Sequence, residues 1–93
     1  MIIWEEDIRL PRIGDIWLVR YPYITPGNME KIRPAIIKSI DEENQRIVVQ
    51  KLTTKKHKFN RVFEHPKMKK KTYISNEKVN ISEYNLIRYI GRS

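Results

Sequence analysis

The chain has 93 residues, with 19 Lys and Arg against 11 Asp and Glu, a net charge of +8, and no cysteine. This length suits one small domain with a thin core, and the lack of cysteine excludes disulfides and thiolate metal sites. No stretch reaches the roughly 18 consecutive apolar residues that indicate a membrane span. The N-terminus carries acids, Glu5 to Asp7, where a signal peptide needs positive charge. We therefore expect a cytoplasmic protein that does not enter a membrane.

The predicted elements begin after an N-terminal arm of residues 1–13, in which Pro11 would end any helix. Gly14 then leads into residues 16–21, where aromatic and branched side chains favour a β-strand. Turn-forming residues follow around Gly27. The sequence therefore predicts a first strand that ends in an exposed loop.

A hairpin of two apolar strands is predicted next. Residues 34–40 are mostly apolar, residues 41–45 form a polar turn, and residues 46–53 return as a second strand. In an antiparallel hairpin, the start of the first strand lies beside the end of the second. Arg33 and Thr53 should therefore be neighbours at the open end of this hairpin.

Three more short strands are predicted after the hairpin, at residues 59–63, 72–75 and 78–81. With the earlier strands they would form a sheet of five or six short strands. Such a pattern favours a small, strongly curved β-barrel of the SH3 or OB kind. We predict that residues 14–93 form this barrel as one domain.

A short C-terminal helix is predicted to complete this mainly β fold. Ser82 is suited to cap the N-terminus of a helix. Leu86, Ile87 and Ile90 follow with helical spacing, and Gly91 is typical of the residue just past a helix end.

The net positive charge is concentrated in one stretch of the chain. Lys51 to Lys71 contain nine Lys and Arg against one acid, Glu64, whereas the other 72 residues contain ten of each sign. A local cationic surface suits a polyanion such as RNA, although it also fits an anionic membrane or an acidic protein. The planar fork of arginine binds phosphate oxygens in pairs. Arg33 beside such a surface therefore favours a nucleic acid as the ligand.

Several motifs, taken in order, resemble the MazF/PemK family of toxins. They are Gly14-Asp15-Ile16, Arg33-Pro34-Ala35-Ile36-Ile37, Leu52-Thr53-Thr54, Thr72-Tyr73-Ile74, Val79, Ile81, Leu86-Ile87 and Ile90-Gly91-Arg92. The similarity runs from about Gly14 to Arg92 and keeps the family's order and rough spacing. It implies an SH3-like barrel that forms a homodimer and cleaves single-stranded RNA at specific sequences without a metal or other cofactor. It also implies a cognate antitoxin whose acidic tail covers the RNA-binding groove.

The resemblance also implies roles for individual residues. Arg33 would be the main catalytic residue, and Thr53 would be its hydroxyl partner. Because the guanidinium keeps its proton, Arg33 is better suited to stabilising negative charge or donating a proton than to accepting one. The residues expected to bind RNA are Lys31, Thr54, Lys55, Lys56, His57, Lys58, Lys69, Lys70 and Lys71.

Three alternatives are compatible with the same residues. His57 or His65 could act as an acid or base, since histidine titrates near neutral pH. The chain could instead be a gyrase-binding toxin like CcdB, which has the same fold but grips another protein. It could also be a non-catalytic RNA-binding barrel, because the hairpin is a few residues shorter than is usual in the family and the longer C-terminal helix is missing.

Overall fold

The structure is a computed structural model, and it describes residues 10–25, 27, 29–56 and 60–93. Within these residues the regular structure consists of six β-strands and one turn of 3-10 helix. The elements are β1 Asp15–Thr25, β2 Met29–Asp41, β3 Arg46–Thr53, β4 Arg61–Phe63, β5 Thr72–Ser82, the 3-10 turn Glu83–Asn85 and β6 Leu86–Arg92. None of the described residues forms a helix long and apolar enough to cross a membrane.

The six strands form a single antiparallel sheet in the order β4-β5-β3-β2-β1-β6. The mainly β prediction is therefore confirmed, and the curled sheet is consistent with a small barrel. The central hairpin of β2 and β3 is also confirmed, with Asp41 paired to Arg46 across its turn. Asp41 holds the turn by accepting hydrogen bonds from the backbone and side-chain nitrogens of Asn44, at 3.2 and 2.9 Å.

The predicted C-terminal helix is wrong, because residues 86–92 form the edge strand β6. Ser82 does act as a cap, since its Oγ accepts a hydrogen bond from Tyr84 N at 3.2 Å, but only for the three-residue 3-10 turn. β6 then pairs with β1, which sets Tyr89 opposite Trp17 with their ring centroids 5.8 Å apart. Pairing with an existing strand outweighs the weak helical preference of a short segment rich in branched and aromatic residues.

The sheet is buried on both faces, and this explains its mostly apolar central strands. Side chains alternate along a strand, so Ile36 and Ile37 of β2 point to opposite faces. Ile37 belongs to the larger cluster, with Trp17, Val19, Tyr21, Ala35, Ile47, Val49 and Ile81. Ile36 belongs to a smaller one, with Ile16, Leu52, Phe63, Met68, Ile74 and Ile90.

Contacts between the two edges of the sheet hold the curl. The segment that follows edge strand β4 reaches the other edge strand, β6. His65 Nε2 donates to Arg92 O at 2.8 Å, and Lys67 Nζ donates to Ile90 O at 2.7 Å. Gly91 lies beneath the imidazole, where a Cβ would come within 2.9 Å of His65 Cε1. A side chain at this position would therefore displace the imidazole of His65.

Candidate functional site

Arg33 and Thr53 share a cleft at the open end of the central hairpin. Ala35 of β2 pairs with Lys51 of β3. Arg33 lies two residues before Ala35 and Thr53 two residues after Lys51, so in this antiparallel pair both lie at the same end of the hairpin. Both side chains line a cleft of about 570 Å³. The structure therefore brings together the two residues predicted to be catalytic, and their role stays a prediction.

The cleft is strongly cationic. Among the described residues its lining includes seven lysine or arginine side chains and a single carboxylate, that of Glu77. Its floor includes the apolar side chains of Pro34, Leu52 and Met68. The full lining is Lys31, Arg33, Pro34, Lys51, Leu52, Thr53, Thr54, Lys55, Asn60, Lys67, Met68, Lys69, Lys70, Thr72, Ser75 and Glu77.

The predicted RNA-binding residues fall into three groups. Lys31, Thr54, Lys55, Lys69 and Lys70 line the cleft. The exposed Lys56 and Lys71 do not, and His57 and Lys58 lie outside the described residues.

Sequence reasoning missed two residues that shape the cleft, Lys51 and Glu77. Lys51 could have been found from the hairpin, because it lies on the same side of β3 as Thr53, two residues away. Glu77 carries no such signal in the sequence, since its position depends on an irregularity in β5.

Arg33 and Thr53 are both arranged to donate hydrogen bonds. The exposed guanidinium of Arg33 uses one donor, Nη1, on Ile32 O at 2.7 Å, and it has other N–H groups in the same plane. Thr53 Oγ1 accepts from Lys55 N at 3.1 Å, so its O–H bond is available to donate elsewhere. A phosphate in the cleft could therefore receive hydrogen bonds from both residues.

Lys31, Lys51 and Glu77 form the electrostatic centre of the cleft. Lys51 Nζ lies 2.9 Å from Glu77 Oε2, and the lysine side chain is only 13% exposed. The pKa of Lys31 is lowered, first because burial disfavours its ammonium and then because Lys51 and Arg33 carry the same charge; the carboxylate of Glu77 acts in the opposite sense. One carboxylate does not balance these cations, so the cleft is suited to an anionic ligand.

Glu77 reaches the cleft because β5 is irregular there. The pairing of β3 with β5 runs from Gln50–Lys78 to Leu52–Ile74, so three residues of β5, from Ser75 to Glu77, oppose one residue of β3. Such bulges turn side chains to new directions. Gln50 Nε2 donates to Ser75 O at 2.9 Å, and Glu77 N donates to Ser75 Oγ at 3.1 Å. These two bonds tie Ser75, the first residue of the bulge, to β3 and to Glu77.

His65 is bound at the sheet edge and does not line the cleft. Its Nδ1 accepts a hydrogen bond from Lys67 N at 3.2 Å, so the ring proton lies on Nε2, which donates to Arg92 O. This geometry gives His65 a structural role, whereas His57 lies outside the described residues. In the part of the chain that the structure describes, no three His, Asp or Glu side chains lie together as metal ligands would.

When an anion binds in this cleft at alkaline pH, Lys31 should take up protons. A phosphate beside Lys31 favours the ammonium and raises its pKa, so in the interval between the lowered pKa and the ordinary 10.5, binding should draw a proton from the buffer. Calorimetric titration with a 2′-deoxy oligonucleotide in two buffers of different ionisation enthalpy measures this uptake. Lys31→Gln should reduce this uptake, whereas Lys38→Gln, a matched change at an exposed position outside the cleft, should not. Equal uptake in the two variants would contradict the assignment.

Comparison of the sequence with known proteins does not assign the chain to a family. No model of a known protein family matches the chain, and no curated protein matches it.

Proposed function

We propose that this chain is a metal-independent endoribonuclease, the toxin of a toxin–antitoxin pair of the MazF/PemK type, with an SH3-like barrel. The observation that carries the proposal is the meeting of Arg33 and Thr53 in one cationic cleft. A guanidinium and a hydroxyl that line one cleft suit the transfer of a phosphoryl group that gains negative charge as it reacts.

The reaction would use the RNA's own 2′-hydroxyl as the nucleophile. As the bond from O2′ to phosphorus forms, the hydroxyl gives its proton to solvent water; as the bond from phosphorus to O5′ breaks, the leaving oxygen takes a proton from solvent. Arg33 would bind two oxygens of the phosphorane through its planar fork, and Thr53 would donate a hydrogen bond to the oxygen on which charge develops. The products are a 2′,3′-cyclic phosphate and a 5′-hydroxyl.

The lining of the cleft supports single-stranded RNA as the substrate class. The lysines that line the cleft can follow a phosphate backbone, while the partly exposed side chains of Pro34 and Met68 offer an apolar surface on which an unstacked base can lie. Sequence-specific RNA recognition mostly targets single strands, because only their base edges are free to be bound.

The proposal is tested by incubating the purified chain with a single-stranded RNA in EDTA. We expect fragments that end in a 2′,3′-cyclic phosphate and begin with a 5′-hydroxyl, identified by mass spectrometry. A duplex of the same sequence serves as the control and should resist cleavage. Intact RNA, or fragments that form only when a divalent metal is supplied, would overturn the proposal.

Binding of single-stranded RNA should weaken with salt through the cleft lysines. Each phosphate contact releases counterions and adds about 0.7 to the slope of log affinity against log salt. Replacing both Lys69 and Lys70 with Gln should therefore lower that slope by roughly 1.4 if each contacts a phosphate. The matched control is Lys38→Gln with Lys78→Gln, which removes the same charge from exposed positions outside the cleft. An equal fall in the two double variants would mean that net charge alone drives binding.

Two protein partners belong to the same proposal. The first is an antitoxin whose acidic tail binds the cationic cleft, so an acidic peptide should compete with RNA. The second is another copy of this chain, supported by large apolar side chains that the described residues leave exposed, among them Leu10, Ile13, Tyr84 and Ile87. Light scattering that reports only monomers would remove the homodimer from the proposal.

A further inference from the structure

The negative charge of Glu77 is unfavourable in a cleft that only binds phosphates. It is the single acid among the described lining residues, and its charge repels a polyanion. Its carboxylate can only accept hydrogen bonds, whereas the phosphates of RNA carry no donors. The groups of RNA that Glu77 can bind are therefore the ribose hydroxyl and the N–H groups of the bases.

An irregularity in β5 places this carboxylate in the cleft. The bulge from Ser75 to Glu77 sets three residues of β5 against Lys51 alone. Buried Gln50 anchors the bulge through Ser75 O at 2.9 Å. The result is a lysine and a carboxylate held side by side at 2.9 Å, one a donor and the other an acceptor with two oxygens.

We propose that Lys51 and Glu77 together read the Watson–Crick edge of a guanine in single-stranded RNA. This edge presents, in order, the O6 acceptor, the N1–H donor and the 2-amino donor. A lysine donor beside a two-oxygen carboxylate is its complement: Lys51 donates to O6, and the two oxygens of Glu77 accept from N1–H and the amino group. The inference rests on the proposed function, since it assumes that the cleft holds RNA.

The other three bases fit this pair less well. Adenine and cytosine each present one amino donor next to an acceptor, so one oxygen of Glu77 would face a lone pair. Uracil presents a single N–H between two carbonyl oxygens, and one of these would face the carboxylate. Only guanine offers two adjacent donors, and the mismatched bases leave a desolvated group without its partner, which costs binding energy.

The experiment uses 2′-deoxyuridine heptamers, which lack the attacking hydroxyl and so report binding alone. The central position carries guanine, inosine, adenine, cytosine or uracil, and fluorescence anisotropy gives each affinity. We expect guanine to bind about tenfold more tightly than uracil, in line with the discrimination of a good paired contact to a base edge. Inosine lacks only the 2-amino group and should fall between them.

Glu77→Gln provides the second arm, with Glu64→Gln as the matched control, because Glu64 is an exposed acid outside the cleft. Glu77→Gln should abolish the preference for guanine while leaving affinity for the all-uracil heptamer equal or higher, since it removes a repulsive charge. A merely damaged fold would instead weaken all heptamers. Glu64→Gln should keep the preference.

The outcomes separate this inference from the proposed nuclease. Equal affinities for guanine, inosine and uracil, or a guanine preference that survives Glu77→Gln, would overturn the base reading and leave RNA cleavage standing. Preferential binding of guanine by a chain that does not cut RNA would support the base reading and overturn the nuclease. Binding of none of the heptamers would overturn the base reading, while cleavage of RNA in EDTA would decide on the nuclease separately.

Discussion

Replacing Arg33 with alanine should lower the rate of RNA cleavage by about 100-fold or more, the usual cost of losing one preorganised contact to a transition state. The guanidinium of Arg33 is exposed and donates to the backbone oxygen of its neighbour Ile32, so the fold should survive its removal. The measurement is the single-turnover rate on a single-stranded RNA in EDTA. Affinity for the uncleaved RNA should fall much less than the rate, because the contact is strongest in the transition state.

Two further arginine variants separate charge from geometry. Arg33→Lys keeps the positive charge but loses the planar fork, so its rate should lie between those of the wild type and Arg33→Ala. Arg88→Ala removes an exposed arginine from β6, outside the cleft, and should leave the rate unchanged. Cleavage by Arg33→Ala at the wild-type rate would remove this residue from the mechanism and leave the cleft as a binding surface only.

Replacing Ile37 with alanine should destabilise the fold by about 2–5 kcal/mol, because it leaves a cavity in a packed core. Ile37 is fully buried in the larger apolar cluster and is paired with buried Val49 across the hairpin that carries Arg33 and Thr53. Since small domains are stable by only about 5–15 kcal/mol, much of the total would be lost. Urea unfolding followed by tryptophan fluorescence measures the change.

The matched control for this core substitution is Ile87→Ala. It deletes the same atoms at a position that is 42% exposed, so its cost should be well below that of Ile37→Ala. Similar losses for the two variants would contradict the assignment of Ile37 to the core. If a second copy of the chain covers Ile87, Ile87→Ala should destabilise the dimer as well. That extra loss of stability would depend on protein concentration, so unfolding is measured at several concentrations.

The sequence by itself was sufficient to predict the central hairpin and the meeting of Arg33 with Thr53. These features depend on local information, namely two apolar runs around a polar turn at residues 41–45. An antiparallel pairing then follows, and it sets the beginning of one strand beside the end of the other. The concentration of lysines near this end is also a property of the sequence alone.

The tertiary structure alone decided the state of residues 86–92 and the place of Glu77. A few apolar residues at helical spacing are too short a signal to oppose pairing with β1, which satisfies the backbone groups of β6 and packs Tyr89 on Trp17. Glu77 enters the cleft through a bulge set by its partner strand, and nothing in the local sequence of β5 specifies that offset. Both outcomes depend on contacts between residues far apart in the chain, whose energies local patterns do not contain.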